Sequence, residues 1–344
     1  MARVPATPAV ATVPHPRENF TLFGHADAER QFLSAYRSGR MPHAWLVGGE
    51  PGIGKATLAY RMARFVLTHP NPAAADVQAA TTLALPSDSA VARRIAARGH
   101  SDLLILERTV GDSGKLRTEI AVADVRKTIE FFGSTAGEGG WRICIVDSAE
   151  ELNREGANTL LKILEEPPAQ SLLLVVSHAP GRLLPTIRSR CRRLNLRPLA
   201  QADVAAAAAN ALGIAPEEPQ LVRASALAEG SVARAIALTD GPLLALRERI
   251  GDLLARLPDT DPLALHALGD SLGRDDNAMT TFADAIRRWL GQQLAGGGTP
   301  AKLMRIAEAW EKFNRAAADV EIYNTERKPL VFAAFGLLAE AARR

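Results

Sequence analysis

The sequence predicts an α/β domain of the P-loop kind, a parallel sheet with helices on both faces, followed by an all-α half. Three observations predict it. Short apolar runs alternate with helical periodicity up to Arg197, a glycine-rich phosphate-binding pattern follows the first of those runs, and no strand-like run recurs after Leu199. At 344 residues the chain exceeds a typical domain of about 100–150 residues, so more than one core is expected.

The leader, residues 1–20, carries Pro5, Pro8, Pro14 and Pro16, which interrupt any signal-like apolar run, and it is expected to be flexible. Ala26–Ser38 places Phe32, Leu33 and Tyr36 on one face of a helix that Gly39 closes. His43–Gly49 reads as a buried strand and Thr57–Leu67 as the helix after the glycine-rich turn. Asn71–Ser89, rich in Ala, Pro and Ser, reads as a long loop or weak helix, and Ala90–Arg98 is helix-like. Leu103–Leu106, Ile143–Val146 and Leu172–Val176 read as further buried strands, separated by the helical stretches Val122–Phe132 and Glu155–Glu166. From Gln201 the composition turns to alanine-rich helix, with turns at Pro258, Asp259, Asp261, Pro262 and Gly296–Gly298. Boundaries are expected near 198 and 241.

Composition excludes several classes. With 47% hydrophobic and 23% charged residues the chain is neither disordered nor collagen-like. A net charge of +3 permits nucleic acid as a partner but lacks the dense basic excess of a dedicated DNA-binding domain. Cys144 and Cys191 are too few and too far apart for a disulfide framework or a cysteine-rich zinc site, which points to a reducing, cytoplasmic setting. No stretch reaches about 18 uninterrupted apolar residues, so no membrane partner is expected.

Of the 41 basic residues only seven are lysine, and Lys55 is the sole lysine among the first 114 residues. It falls in Gly49-Glu50-Pro51-Gly52-Ile53-Gly54-Lys55-Ala56-Thr57, which matches GxxxxGK but has alanine where Ser or Thr would hold magnesium. Glycines let backbone N–H groups turn around a phosphate, the helix start aims its positive end there, and Lys55 would reach the outer phosphates. Thr57 lies one helical step on, about 100° away from the metal position. The plain alternative is a Gly-Pro turn between strand and helix. Ile143–Asp147 supplies the other half of such a site, a buried strand ending in an aspartate that can hold magnesium through water. Ser148 stands where a water-polarising glutamate would follow, and the nearest carboxylates are Glu150 and Glu151.

Beside the phosphate loop stand SAEELNREGANTLLKILEEPP, which ends at Pro168, and the tripeptide Ser189-Arg190-Cys191. With these motifs the chain resembles the bacterial clamp-loader subunits of the AAA+ class from about Leu22 to the C-terminus, most strongly over 43–64 and 141–198. The resemblance implies an AAA+ domain at 21–197, a small helical lid at 198–240 and an all-α collar at 241–344. It implies a nucleotide site of Gly49, Gly52, Gly54, Lys55, Thr57 and Asp147 for ATP or ADP, with Mg2+ binding weakened by Ala56. Ser177 and Arg234 fall near the family's nucleotide-sensor positions, although Arg234 comes one residue late after Gly230-Ser231. Arg190 matches the arginine finger that reaches a neighbouring subunit's ATP. The implied partners are the gamma/tau and delta subunits, the sliding clamp, and primed DNA within the assembled complex.

One departure concerns metal. Many relatives carry a four-cysteine zinc module after the phosphate loop, whereas residues 58–143 hold no cysteine, so no zinc is expected. Residues 241–344 carry 14 acidic and 14 basic side chains, a balance that suits helix–helix assembly better than DNA. In that part Phe282, Ile286, Trp289, Leu290 and Phe313 are read as core, with some available to a collar interface. Three functions follow: a non-motor subunit that lends Arg190, an active ATP-hydrolysing motor subunit, or direct DNA binding through the six arginines from Arg182 to Arg197.

Overall fold

The computed structural model describes residues 13–111, 114, 116–138 and 140–343. Five strands, β1 (Ala44–Gly48), β2 (Leu103–Leu106), β3 (Arg142–Val146), β4 (Ser171–Ser177) and β5 (Arg192–Asn195), form one sheet in the order β2-β3-β4-β1-β5. Every pairing is parallel. Around the sheet lie α1 (Ala26–Arg37), α2 (Lys55–Thr68), α3 (Ala75–Ala79), α4 (Ala90–Ala96), α5 (Val122–Gly133), α6 (Arg154–Glu165) and α7 (Pro185–Arg190). This is the expected parallel sheet with helices on both faces.

Alternation along the strands explains the two covered faces. Trp45 and Val47 of β1, Ile143 and Ile145 of β3, and Leu172, Leu174 and Val176 of β4 share a core with α1 and α2. Their neighbours Ala44, Leu46, Cys144, Val146, Leu173 and Val175 pack with α5, α6 and α7. Because both faces are buried, these strands read as continuous apolar runs. Register aligns Gly48 with Ser177 and with Asn195, so the phosphate loop and the turn after β4 leave the same edge of the sheet. In open α/β sheets that carboxyl edge is where ligands bind.

The strand β5 is not expected from the sequence. Its burial alternates weakly, with Leu194 inward and Arg192, Arg193 and Asn195 exposed, as an edge strand paired with β1 alone allows. Arg192 lays its guanidinium over the Trp45 ring, 5.0 Å from the centroid. The arginine-rich stretch therefore serves packing as well as surface. The stretch expected as a loop or weak helix contains α3, and Ser89 caps α4 by accepting from the Ala92 N–H at 3.2 Å.

Residues 1–12 of the expected flexible leader lie outside the described residues. Residues 16–20 are tied to α2: the Arg64 guanidinium donates to the carbonyls of Pro16, Arg17 and Asn19 and lies 4.3 Å from the centre of the Phe20 ring. Arg61 donates to Glu29 at 2.6 Å and to the Phe20 carbonyl. Both arginines are buried, at 2% exposure for Arg64 and 6% for Arg61.

After the sheet come α8 (Gln201–Leu212), α9 (Pro219–Leu227), α10 (Val232–Leu238), α11 (Gly241–Ala255), α12 (Pro262–Leu272), α13 (Asp276–Ala295), α14 (Pro300–Tyr323) and α15 (Lys328–Ala342). Within the described residues, one compact unit runs to Glu218 and takes in Ala228–Arg234; the other comprises Pro219–Leu227 and the chain from Ala235 onward. The second unit has its own core, with Phe282, Ile286, Leu290, Phe313 and Phe335 buried and Trp289 partly buried against them. Phe282 and Phe313 meet edge-on, 6.2 Å between ring centres. Among the described residues no helix is long and apolar enough to cross a membrane, and no group of three or more His, Cys, Asp or Glu side chains is placed to hold a metal ion.

Candidate nucleotide site and arginine finger

The phosphate loop leaves β1 at Gly48. Gly49, Gly52 and Gly54 have φ of 148°, 75° and 99°, which side chains other than glycine rarely adopt. Gly54 forms the N-terminal boundary of α2, so the helix begins at Lys55 rather than Thr57. Lys55 is 3% exposed. Its ammonium donates to the Glu50 carbonyl, and burial lowers its pKa to about 8, against the opposing pull of Glu150, Asp147 and Glu50. Thr57 is buried in α2 and Ala56 offers no hydroxyl. His25, also buried, donates its Nε2–H to the Ile53 carbonyl at 2.7 Å, and burial holds its pKa below the usual histidine value.

The loop is covered by the segment Gly230–Arg234. Ser231 Oγ donates to the Pro51 carbonyl at 3.0 Å. The Val232 and Ala233 N–H groups both donate to the Gly52 carbonyl, at 2.9 and 3.3 Å. A Cβ added at Gly52 would sit 2.7 Å from the Ala233 Cβ. Arg234 Nη1 donates to the Ala228 carbonyl at the C-cap of α9, at 2.6 Å.

Asp147 follows β3, its N–H bonded to the Leu106 carbonyl at 2.8 Å. Burial raises its pKa, with Glu107 adding to the rise and Lys55 opposing it. Ser148 adopts φ 60° and its Oγ lies 3.2 Å from His178 Nε2. Glu150 Oε1 accepts the His178 N–H at 2.9 Å, while its Oε2 is buried with no hydrogen-bond partner among the described residues. Burial lowers the His178 pKa, and Lys55 lowers it further. Glu151 is instead paired with Arg108 at 2.7 Å. Ser177 is fully buried, its Oγ accepting the Ala179 N–H at 3.1 Å.

Lys55, Asp147 and Glu150 thus come together electrostatically at the carboxyl edge of the sheet. Ser231, His25 and His178 join them from segments that carry no phosphate-loop motif; the one sequence signal was the Gly-Ser pair before Arg234. The glycine conformations and buried ammonium suit a phosphate. Ala56 brings no hydroxyl to the loop, and the Gly230–Arg234 segment is bonded to the Pro51 and Gly52 carbonyls.

Arg190 belongs to a different place. It ends α7, with Nη2 3.0 Å from Glu165 Oε1 and Nη1 donating to the Thr186 carbonyl at 3.1 Å. Its side chain is 36% exposed.

Residues 24–200 match the family described as DNA polymerase III, delta subunit. A DNA polymerase III subunit delta' of Pseudomonas aeruginosa is 38% identical over 149 residues, 43% of this chain and 41% of the relative, so the match spans less than half the relative's length. The Escherichia coli subunit delta' is 29% identical over 282 residues, 80% of each chain. Among solved structures, a gamma subunit-related protein of DNA polymerase III from Thermotoga maritima covers 91% of this chain at 16% identity with a TM-score of 0.41. With the matched region taking in half of the chain, the protein belongs to the DNA polymerase III delta subunit family, and the relatives it resembles include delta' subunits.

Proposed function

We propose that this chain is a non-motor subunit of a bacterial replicative clamp loader, one that lends Arg190 to a neighbouring subunit's ATP site and turns over little or no ATP itself. The observation that carries this reading is the closure of the phosphate loop: the Gly52 carbonyl accepts from Val232 and Ala233, and Ser231 is bonded to Pro51. A loop held this way, with Ala56 in the metal-ligand position, is a poor place to assemble a hydrolytic metal centre. Ser148 in place of a water-polarising glutamate supports the same reading.

Arg190 would act in trans. Phosphoryl transfer spreads charge over the γ-phosphate oxygens, and a guanidinium supplied by a neighbour stabilises that charge, by about 10³–10⁵-fold in rate. The gamma/tau and delta subunits, the sliding clamp and primed DNA are the partners this role calls for, in a three-part chain of AAA+ domain, lid and collar.

A motor-subunit reading rests on Glu150, whose unpartnered Oε2 lies buried close to Lys55 and Asp147. Magnesium-dependent ATP turnover by the purified chain separates the two. Turnover that disappears on Lys55→Ala would establish the motor reading; no turnover, together with slower ATP hydrolysis by the reconstituted complex carrying Arg190→Ala, supports the non-motor one.

A further inference from the structure

Arg190 and Glu165 come from separate signature stretches, Ser189-Arg190-Cys191 and LLKILEEPP, and each is the last residue of its helix, α7 and α6. The helices share one core, in which Leu160 and Leu164 of α6 lie with Ile187 of α7 and Cys191. The end of α6 is itself fixed: the Leu164 carbonyl accepts from His43 Nε2 at 3.2 Å, and Pro167 and Pro168 stop the helix just beyond Glu165.

Glu165 is electrostatically misplaced for a helix stabiliser. The C-terminus of a helix carries partial negative charge, so a carboxylate in the last turn is disfavoured there. The half-exposed pair with Arg190 at 3.0 Å offsets that penalty and adds little to folding, because solvent screens it. Its effect is on orientation. One guanidinium nitrogen is held by the Glu165 carboxylate and the other terminal nitrogen by the Thr186 carbonyl. Two supports on different helices fix the plane of the fork, while no hydrogen bond from Arg190 Nε to a described residue occupies the remaining edge. An arginine so held loses less freedom when it meets a phosphate than one free to rotate about its long side chain.

We infer that Glu165 is a positioning residue for Arg190, presenting the guanidinium to the phosphate of a nucleotide bound by the adjacent subunit. This inference rests on the proposed role of Arg190 in trans. Glu165 does not touch that nucleotide; it acts through the ion pair.

The test uses the reconstituted complex on primed DNA, with ATP turnover measured for Glu165→Gln, Glu165→Asp, Arg190→Ala and the double variant of Glu165→Gln with Arg190→Ala. Glu165→Gln should lower kcat by about 3- to 10-fold with KM for ATP changed less than about 2-fold. Glu165→Asp, which keeps the charge, should recover part of that loss. In the Arg190→Ala background Glu165→Gln should cause no further loss, because the carboxylate then has nothing to orient. If Glu165→Gln turns over like the parent while Arg190→Ala is slow, the positioning role is wrong and the finger stands. An equal loss with and without Arg190 would also overturn it, as the carboxylate would then act through the fold. If Arg190→Ala is as fast as the parent, the finger reading itself fails.

Discussion

Ser231 donates its hydroxyl to the carbonyl of Pro51 at 3.0 Å, joining two residues 180 positions apart. Beside that bond the Val232 N–H reaches the Gly52 carbonyl at 2.9 Å. Deleting the hydroxyl with Ser231→Ala should cost about 1 kcal/mol of stability, the net worth of one hydrogen bond. Amide exchange at Val232 should speed up as the segment loosens. Unchanged exchange at Val232 would mean that the serine contributes nothing to the closure.

Gly52 itself is constrained twice. Its φ of 75° is strained for any other residue, and an added Cβ meets both Ser231 and Ala233. Gly52→Ala is expected to destabilise by about 2 kcal/mol or more. Denaturant unfolding measures it, and a loss within about 0.5 kcal/mol would show that the segment moves away at little cost.

The buried Lys55 makes a pH signature. Its folded-state pKa is near 8, below the ordinary value of 10.5, because burial disfavours the ammonium. Between those two values the unfolded chain binds the proton more tightly, so this group's contribution to stability rises with pH across that window. Lys55→Met should remove the rise. The difference in urea midpoint between parent and variant, followed from about pH 7.5 to about pH 10, checks it.

Arg64 is a structural counterpart. It is buried at 2% exposure and bonds the carbonyls of Pro16, Arg17 and Asn19. Arg64→Met would leave those acceptors without their donor and should cost about 2–4 kcal/mol. Residues 13–20 should then become sensitive to limited proteolysis. Resistance equal to the parent would show that Phe20 and Arg61 hold the segment by themselves.

In the helical unit, Phe313 is 1% exposed and packs edge-on to Phe282. Phe313→Ala should cost about 3–5 kcal/mol there through cavity formation. Circular dichroism during thermal unfolding of the full chain should show the loss, and an unchanged transition would rule out a core role.

Four of the five strands could be recognised from the chain because each is buried on both faces or nearly so and reads as an apolar run. The strand Arg192–Asn195 could not, because an edge strand with Leu194 alone turned inward has almost no apolar signature. One of its arginines, Arg192, covers Trp45. The periodic apolar pattern over Thr57–Leu67 starts two residues inside α2, because the left-handed conformation of Gly54, not periodicity, sets the helix start at Lys55.

That Lys55 and Asp147 each follow a buried strand was legible because both positions are set by local spacing after an apolar run. What local spacing could not tell was where the side chains and backbone groups around them end up. That Ser231 and Val232 close over the loop, that Glu150 and His178 gather beside Lys55, and that Arg190 rests on Glu165 are outcomes of packing between distant segments. Hydrogen bonds and ion pairs of this kind form only after apolar burial has brought helices and strands together, so no pattern of neighbouring residues encodes them.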